Sequence, residues 1–481
     1  MMINHEKTGR SSTGGLMCPR VSSIRMPRQV LGMLVLGIVL LTSESGRCAL
    51  QPLEEDSAPA ILSTDQAQSS LSPVGSDLSP EQQTTALKEE ELELVKKLLK
   101  KLPDTEGPLI LMGNVLARHG NSSEAIELWE KALALNPKRA DAYCSLGKVA
   151  LGKGEYDRAI EHYRKALATD PAVPDGSNGI ARALMASGRQ DEAVAELEKD
   201  VTAYPKHIFS HFLLGQLYLQ KEDYHKAKEH YEAVTELKPD YTNAYYGLFS
   251  VYSRLKQSEK ARENMIVFKR LKTEEMKVLK DRNEAYDDFV EMRVAVAETY
   301  IAIEEMLYRA HGDLQEAQQL LERAANIDPY NTLCLGRMGS LYLMSNRMSD
   351  ALQVFRRISE IDPNDPICHL NIGIISIRFG RGDDAEKALQ KVISLAPQSS
   401  DGYRELAHLY LLAKRHISKA RQLAEMSVSL EEKGENYFIL AWACDLNGDM
   451  VGALAAIEKA MELEPNNVRY RGVYEHTKKK N

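Results

Sequence analysis

The sequence predicts an all-α chain folded as an α-solenoid of about ten helical hairpins, interrupted by one extended helical insertion. Three observations carry this reading. Pro103, Pro137, Pro171, Pro205 and Pro239 follow one another at 34-residue intervals, the interval resumes at Pro329, Pro363 and Pro397, and Pro465 lies two periods further on. Alanine recurs twelve residues before the proline of each full repeat, at Ala125, Ala159, Ala193, Ala227, Ala317, Ala351, Ala385 and Ala453, and glycine recurs twenty-four residues before it at Gly113, Gly147, Gly215, Gly339 and Gly373. The composition, rich in Ala, Leu, Glu and Lys, is 43% hydrophobic and only 6% aromatic, and no stretch reads as a convincing strand.

Each lattice position has a physical reason. Glycine and alanine fit where the two helices of a hairpin cross so closely that a larger side chain would force them apart. Trp129, Tyr163, Tyr231 and Phe355 are large enough to fill the volume between neighbouring hairpins, and proline, with its fixed φ and missing donor, ends the second helix. The second repeat reads Tyr143, Leu146, Gly147, Ala159, Tyr163, Ala166 and Pro171. With that pattern and period the chain resembles the tetratricopeptide repeat (TPR) family, whose motif runs W-x2-L-G-x2-Y, then A-x3-F, then P. The resemblance implies a right-handed superhelix of hairpins that binds protein segments. The repeats run 106–139, 140–173, 174–207, 208–241, 242–275, 298–331, 332–365, 366–399, 400–433 and 434–467. The ninth lacks the proline and shifts its alanine to Ala420, and the sixth has Glu305 where glycine is usual.

Residues 1–48 read as a signal peptide: Val30 to Leu41 is a 12-residue apolar run with scattered basic residues before it and a polar, small-residue stretch after it. As a helix it spans roughly 18 Å against the ~30 Å hydrocarbon core, so export to a periplasmic or secreted location is expected, with an uncleaved signal anchor as the alternative and no membrane span in the mature chain. Residues 49–85, rich in Ser, Pro, Gln and Asp, read as a disordered linker. Residues 86–105 read as an N-terminal capping half repeat, 106–275 as repeats one to five, 276–297 as the insertion, 298–467 as repeats six to ten and 468–481 as a C-terminal capping helix. The insertion follows from the 90 residues between Pro239 and Pro329, two periods plus 22; its charged run without Pro or Gly predicts a coiled-coil-like helical pair that divides the array in two.

Charge and motif exclude several classes of function. Removing the six basic and two acidic residues before position 49 takes the formal net charge from −8 to −12, and no basic stripe interleaves with aromatics, so nucleic acid is not an expected partner. No G-x-S-x-G, no phosphate-cradling loop and no C-x-x-C pair occurs. His207 and His211 have the spacing of metalloprotease ligands but lack the intervening glutamate, and His225 and His230 lie near them; a structural role is expected, without a metal. Cys144, Cys334, Cys368 and Cys444 are widely spread and expected to be small buried hydrophobes. No catalytic constellation and no cofactor is expected.

In the family the first helix of each hairpin lines a groove with its positions 2, 5, 9 and 12. Projected here, these place Asn178, Arg182, Phe209, Phe212, Gln216, Asn243 and Tyr246 in the first half, and Leu333, Leu343, Ile367, Leu370, Ile374, Ile377, Phe438 and Trp442 in the second. An apolar wall of that size calls for a cover, either a partner's segment or the chain's own insertion or linker. The lysine of the family's carboxylate clamp is replaced by Ile110. The expected function is a non-catalytic, exported protein-interaction scaffold for a protein or peptide partner. The alternative is an accessory or regulatory subunit of a separately encoded enzyme, such as a peptidase or glycosyltransferase.

Overall fold

The computed structural model describes residues 79–173, 175–281 and 288–480, and every regular element among them is a helix. The expected signal peptide, the expected linker up to residue 78 and residues 282–287 of the expected insertion lie outside the described residues. A first helix, α1 (Pro80–Lys101), precedes ten antiparallel pairs: α2 (Glu106–Arg118) with α3 (Ser122–Leu135), α4 (Ala140–Gly152) with α5 (Tyr156–Thr169), α6 (Gly176–Ala186) with α7 (Gln190–Ala203), α8 (Ile208–Gln220) with α9 (Tyr224–Leu237), and α10 (Thr242–Arg254) with α11 (Ser258–Asp281). Then come α12 (Asp288–His311) with α13 (Leu314–Ile327), α14 (Thr332–Met344) with α15 (Met348–Ile361), α16 (Pro366–Arg378) with α17 (Gly382–Leu395), α18 (Ser400–Leu412) with α19 (Ile417–Leu430), and α20 (Gly434–Leu446) with α21 (Met450–Leu463). A last helix, α22 (Val468–Lys480), closes the chain. The described residues divide into two compact units, 79–335 and 336–480. The division falls inside α14, later than the insertion where the sequence suggested it.

One side chain per hairpin does most of the stacking. The Tyr231 ring is wedged between two successive first helices, where a Cβ on Gly215 would come within 2.8 Å of it and one on Gly247 within 2.5 Å, so both positions demand glycine. At the equivalent position Trp129, Tyr163, Leu197, Leu321, Phe355, Leu389 and Ile457 are all 4% exposed or less. The ninth hairpin shifts by one residue and buries Ala424 instead, in keeping with the displaced Ala420. The fifth hairpin departs: Met265 holds the position and is half-buried.

The turn inside each hairpin takes a left-handed residue at the same lattice point. Gly120, Gly154, Gly188, Gly312, Gly380 and Gly448 supply it without strain, whereas Glu222 (φ 61°), Lys256 (φ 59°), Asn346 (φ 57°) and Lys414 (φ 49°) do not. Glu222→Gly or Lys414→Gly is therefore expected to stabilise its unit by about 1 kcal/mol, read as a rise in the denaturant midpoint without a change in slope.

The N-terminal helix corrects the sequence reading. It begins at Pro80, not 86, because Ser79 and Gln82 form a reciprocal cap: the Gln82 amide donates to Ser79 Oγ at 3.3 Å and the Ser79 amide to Gln82 Oε1 at 2.9 Å, with proline at the first helical position. It also does more than cap the first hairpin. Val95 and Leu98 share one core with Met112 and Val115 of α2 and with Ile303 and Leu307 of α12. The α1 helix thus lies between the first and the sixth hairpins, and α12 is one continuous helix of 24 residues rather than a separate insertion helix followed by a repeat helix. Polar ties reinforce the junction. Arg323 donates to both oxygens of Glu90 at 2.8 and 2.7 Å, and the Tyr300 hydroxyl donates to Glu90 at 2.6 Å. Burial works to raise the Glu90 carboxyl, but these bonds outweigh it and hold the group below the usual carboxylate range.

In the C-terminal unit the same stacking ends under α22. Tyr470 is 2% exposed and its ring lies on Phe438, with centroids 5.5 Å apart. The Arg469 guanidinium sits 4.1 Å from the Phe438 ring centroid.

Candidate functional site

The first helices α6, α8 and α10 adjoin along the N-terminal stack and carry seven of the residues singled out from sequence. Arg182, Gln216 and Asn243 are exposed, and Tyr246 is 52% exposed although it is a large aromatic. Asn178 is half-buried with its Oδ1 3.2 Å from Ser210 Oγ, which brings α6 against α8. Phe209 and Phe212 are also half-buried, because Tyr241 packs against both, at 6.3 and 5.1 Å between ring centroids. Tyr246 in turn leans on Phe268 of α11, 5.4 Å away. The result is a strip of amide, guanidinium and aromatic surface whose ring positions are fixed by packing from behind.

In the C-terminal unit Ile367 is 55% exposed, while Leu370, Ile374 and Trp442 are half-buried, the last with its ring 5.9 Å from His408. Leu333, the last residue but two of the N-terminal unit, is 43% exposed, and Leu343 is half-buried. Two expected wall residues are not available. Phe438 is 7% exposed because Tyr470 and Arg469 cover it, a consequence of the capping helix that projection from repeat positions alone does not foresee. Ile377 is likewise 7% exposed.

Sequence reasoning missed Arg404, which stands at the fifth position of its hairpin's first helix. The residue is 5% exposed, and its guanidinium meets Asp401 at 2.7 Å, Glu405 at 2.9 Å and Glu435 at 3.7 Å. Burial works to raise the Glu405 carboxyl, but Arg404 and His408 override it and bring it down to about 2. Burial raises the Glu435 carboxyl, with Arg404 opposing. The signal was available in the sequence: acids at 401, 405 and 435 accompany the one charged residue at a lattice position that elsewhere holds uncharged residues.

The reactive-looking groups are committed to structure. Asp200, His207 and Ser210 converge, yet the Asp200 carboxylate and the Ser210 hydroxyl both approach the same ring nitrogen, Nδ1 of His207, with Ser210 Oγ 3.1 Å from it and itself donating to Asp200 at 2.5 Å. A relay needs the nucleophile and the acid on opposite nitrogens, so this trio ties the last turn of α7 to the start of α8. His211 Nε2 faces the Pro205 carbonyl at 3.1 Å and its Nδ1 faces His230 Nδ1 at 3.0 Å. With His211 donating to the carbonyl, His230 donates to His211, and burial brings His230 down to about 4, which keeps the His230 ring neutral. The four described cysteines are buried as free thiols. Burial pushes the Cys144 and Cys368 thiols up to about 12, which leaves neither as a thiolate nucleophile. No group of His, Cys, Asp and Glu among the described residues is arranged to hold a metal ion.

Three family models, each described as a tetratricopeptide repeat, match residues 110–174 and 144–208, 308–370, and 210–241. No curated protein matches. Among solved structures the chain is similar to TTC0263, a thermophilic TPR protein in Thermus thermophilus, with 20% identity over 38% of this chain and 98% of that one at a TM-score of 0.32. It is also similar to MamA from Desulfovibrio magneticus RS-1, with 22% identity over 36% of this chain and 96% of that one at 0.33. Yeast Tom70 aligns with 15% identity over 77% of this chain and 95% of that one at 0.33.

Proposed function

Because the chain is a tetratricopeptide-repeat protein, we propose that it is a non-catalytic scaffold whose N-terminal unit holds an extended segment of a partner protein along α6, α8 and α10. The observation that carries this is the exposed strip of Arg182, Gln216, Asn243 and Tyr246 beside ring-packed Phe209 and Phe212. Amides and a guanidinium pair with the backbone of an extended peptide, and rigid aromatics bury its side chains at low entropic cost. The engaged state of Asp200, His207 and Ser210, and of the buried thiols, supports a binding role over chemistry on this chain.

Affinity capture from the native compartment with cross-linking tests the reading. A defined partner is expected, and Phe212→Ala combined with Tyr246→Ala is expected to reduce its recovery at least about tenfold, as removal of two central aromatic anchors does. Recovery unchanged in that variant would overturn the groove. Export is part of the same proposal, supported by the apolar run from Val30 to Leu41 and its flanks. N-terminal sequencing of the native product checks it, and an intact N-terminus on cytoplasmic material would overturn it.

A further inference from the structure

We infer that the outer face of the fifth hairpin, where α11 lies beside α10, is a docking surface for a partner helix that carries an apolar stripe flanked by carboxylates. In the rest of the N-terminal stack the next first helix covers this face and buries the large residue at its centre. After the fifth hairpin the lattice would place α12 there, but α12 packs on α1. What remains is a groove of about 540 Å³ whose walls include Phe249, Met265 and Ile266. Ile266 is 58% exposed, and the half-buried Met265 stands where other hairpins hide an aromatic or leucine. The groove makes few polar demands, since the Ser253 hydroxyl donates to the Phe249 carbonyl of its own helix at 2.7 Å.

Charge selects the occupant. Arg262 and Lys269 edge the groove, both are exposed, and neither has a carboxylate partner among the described residues. A second copy meeting this face about a two-fold axis would set these cations against their own images. A helix with an apolar stripe fits the channel between two helices, and glutamates or aspartates on its flanks neutralise both cations and steer the approach. The face adjoins the Asn178 to Tyr246 strip only at Tyr246, whose ring lies 5.9 Å from that of Phe249, so Phe212 serves as the control that separates the two proposals.

The test uses the full chain and two synthetic helical peptides with the same leucine stripe, one flanked by glutamates and one by lysines, read by fluorescence anisotropy. The acidic peptide is expected to bind at least about tenfold more tightly than the basic one, with the gap narrowing as salt rises. Ile266→Asp is expected to abolish binding and Arg262→Glu with Lys269→Glu to reverse the preference, while Phe212→Ala changes neither. All three replaced side chains on this face are exposed, and circular dichroism of each variant verifies that the helices remain. Equal binding of the two peptides, no binding of either, or binding indifferent to Ile266→Asp would overturn the proposal. So would slow thiol labelling of Ile266→Cys in the free chain, the sign that a segment of the chain itself covers the face, or a dimer abolished by Ile266→Asp.

Discussion

Glu91→Ala is expected to destabilise the N-terminal unit by about 3 kcal/mol, a large effect for one glutamate. The carboxylate is fully buried at the α1 junction, where it accepts from the Arg118 guanidinium and the Thr299 hydroxyl and meets His119 Nε2 at 2.9 Å. Burial lowers His119, with Glu91 opposing, so the ring takes its hydrogen bond to Glu91 chiefly as a neutral donor. Truncation leaves a cavity together with stranded donors on Arg118 of α2 and His119 of the turn after it, while the Thr299 hydroxyl of α12 keeps only the Ala295 carbonyl of its own helix, 3.1 Å away. The loss should appear as a lower melting temperature and as faster proteolysis within α1. Glu91→Gln keeps an acceptor and is expected to recover part of the loss, whereas Glu91→Leu fills the volume with no acceptor. If Ala and Leu variants both melt like the parent, the junction is held by its apolar core alone and the polar ties are dispensable.

How much of this was legible in the sequence follows from what each feature depends on. Pro103 to Pro465 and the glycines and alanines between them report local necessities, a helix end or a close crossing, and such necessities repeat with the repeat. Placing the helix pairs therefore needed only the period. The α1 helix was read too short because Ser, Pro and Gln around 79–82 look like linker composition, although Ser79, Pro80 and Gln82 also spell a cap. That Glu90 meets Arg323 and Tyr300, more than two hundred residues on, belongs to tertiary closure and no periodicity announces it. The wall residues divide the same way. Tyr246 stays 52% exposed with Phe268 against one side of its ring, and Ile367 stays 55% exposed, whereas Phe438 carries the same positional signature and is lost beneath Tyr470, the contribution of a helix outside the lattice. Met265 is the converse case, an interior position opened when the chain turned elsewhere for its next neighbour.

Arg404→Ala is expected to cost the C-terminal unit about 3–5 kcal/mol at neutral pH, the range for removing one partner of a buried charge cluster. Three carboxylates converge on this guanidinium, and truncation leaves Asp401, Glu405 and Glu435 facing one another with His408 as the nearest titratable compensation. The pH dependence gives a sharper check than the size of the loss. Glu405 is depressed in the folded chain, to about 2 from an ordinary value of 4.5, so its contribution is complete above the ordinary value and is lost as pH falls through the depressed one. The gap between parent and variant should accordingly be widest near neutrality and shrink as the pH drops below about 4.5, where the stranded carboxylates take up protons. Arg404→Lys, which keeps a charge but not the fork that reaches Asp401 and Glu405 together, is expected to fall between the two. A gap that does not change with pH would mean that the loss comes from packing around the side-chain stem. The outcome also bears on binding. If Arg404 is held by its own acids, the polar centre of the C-terminal first helices is already spent, and a partner there meets chiefly Ile367, Leu370, Ile374 and Trp442. The two units would then select partners by different chemistry, the N-terminal one through amides and aromatics and the C-terminal one through apolar burial.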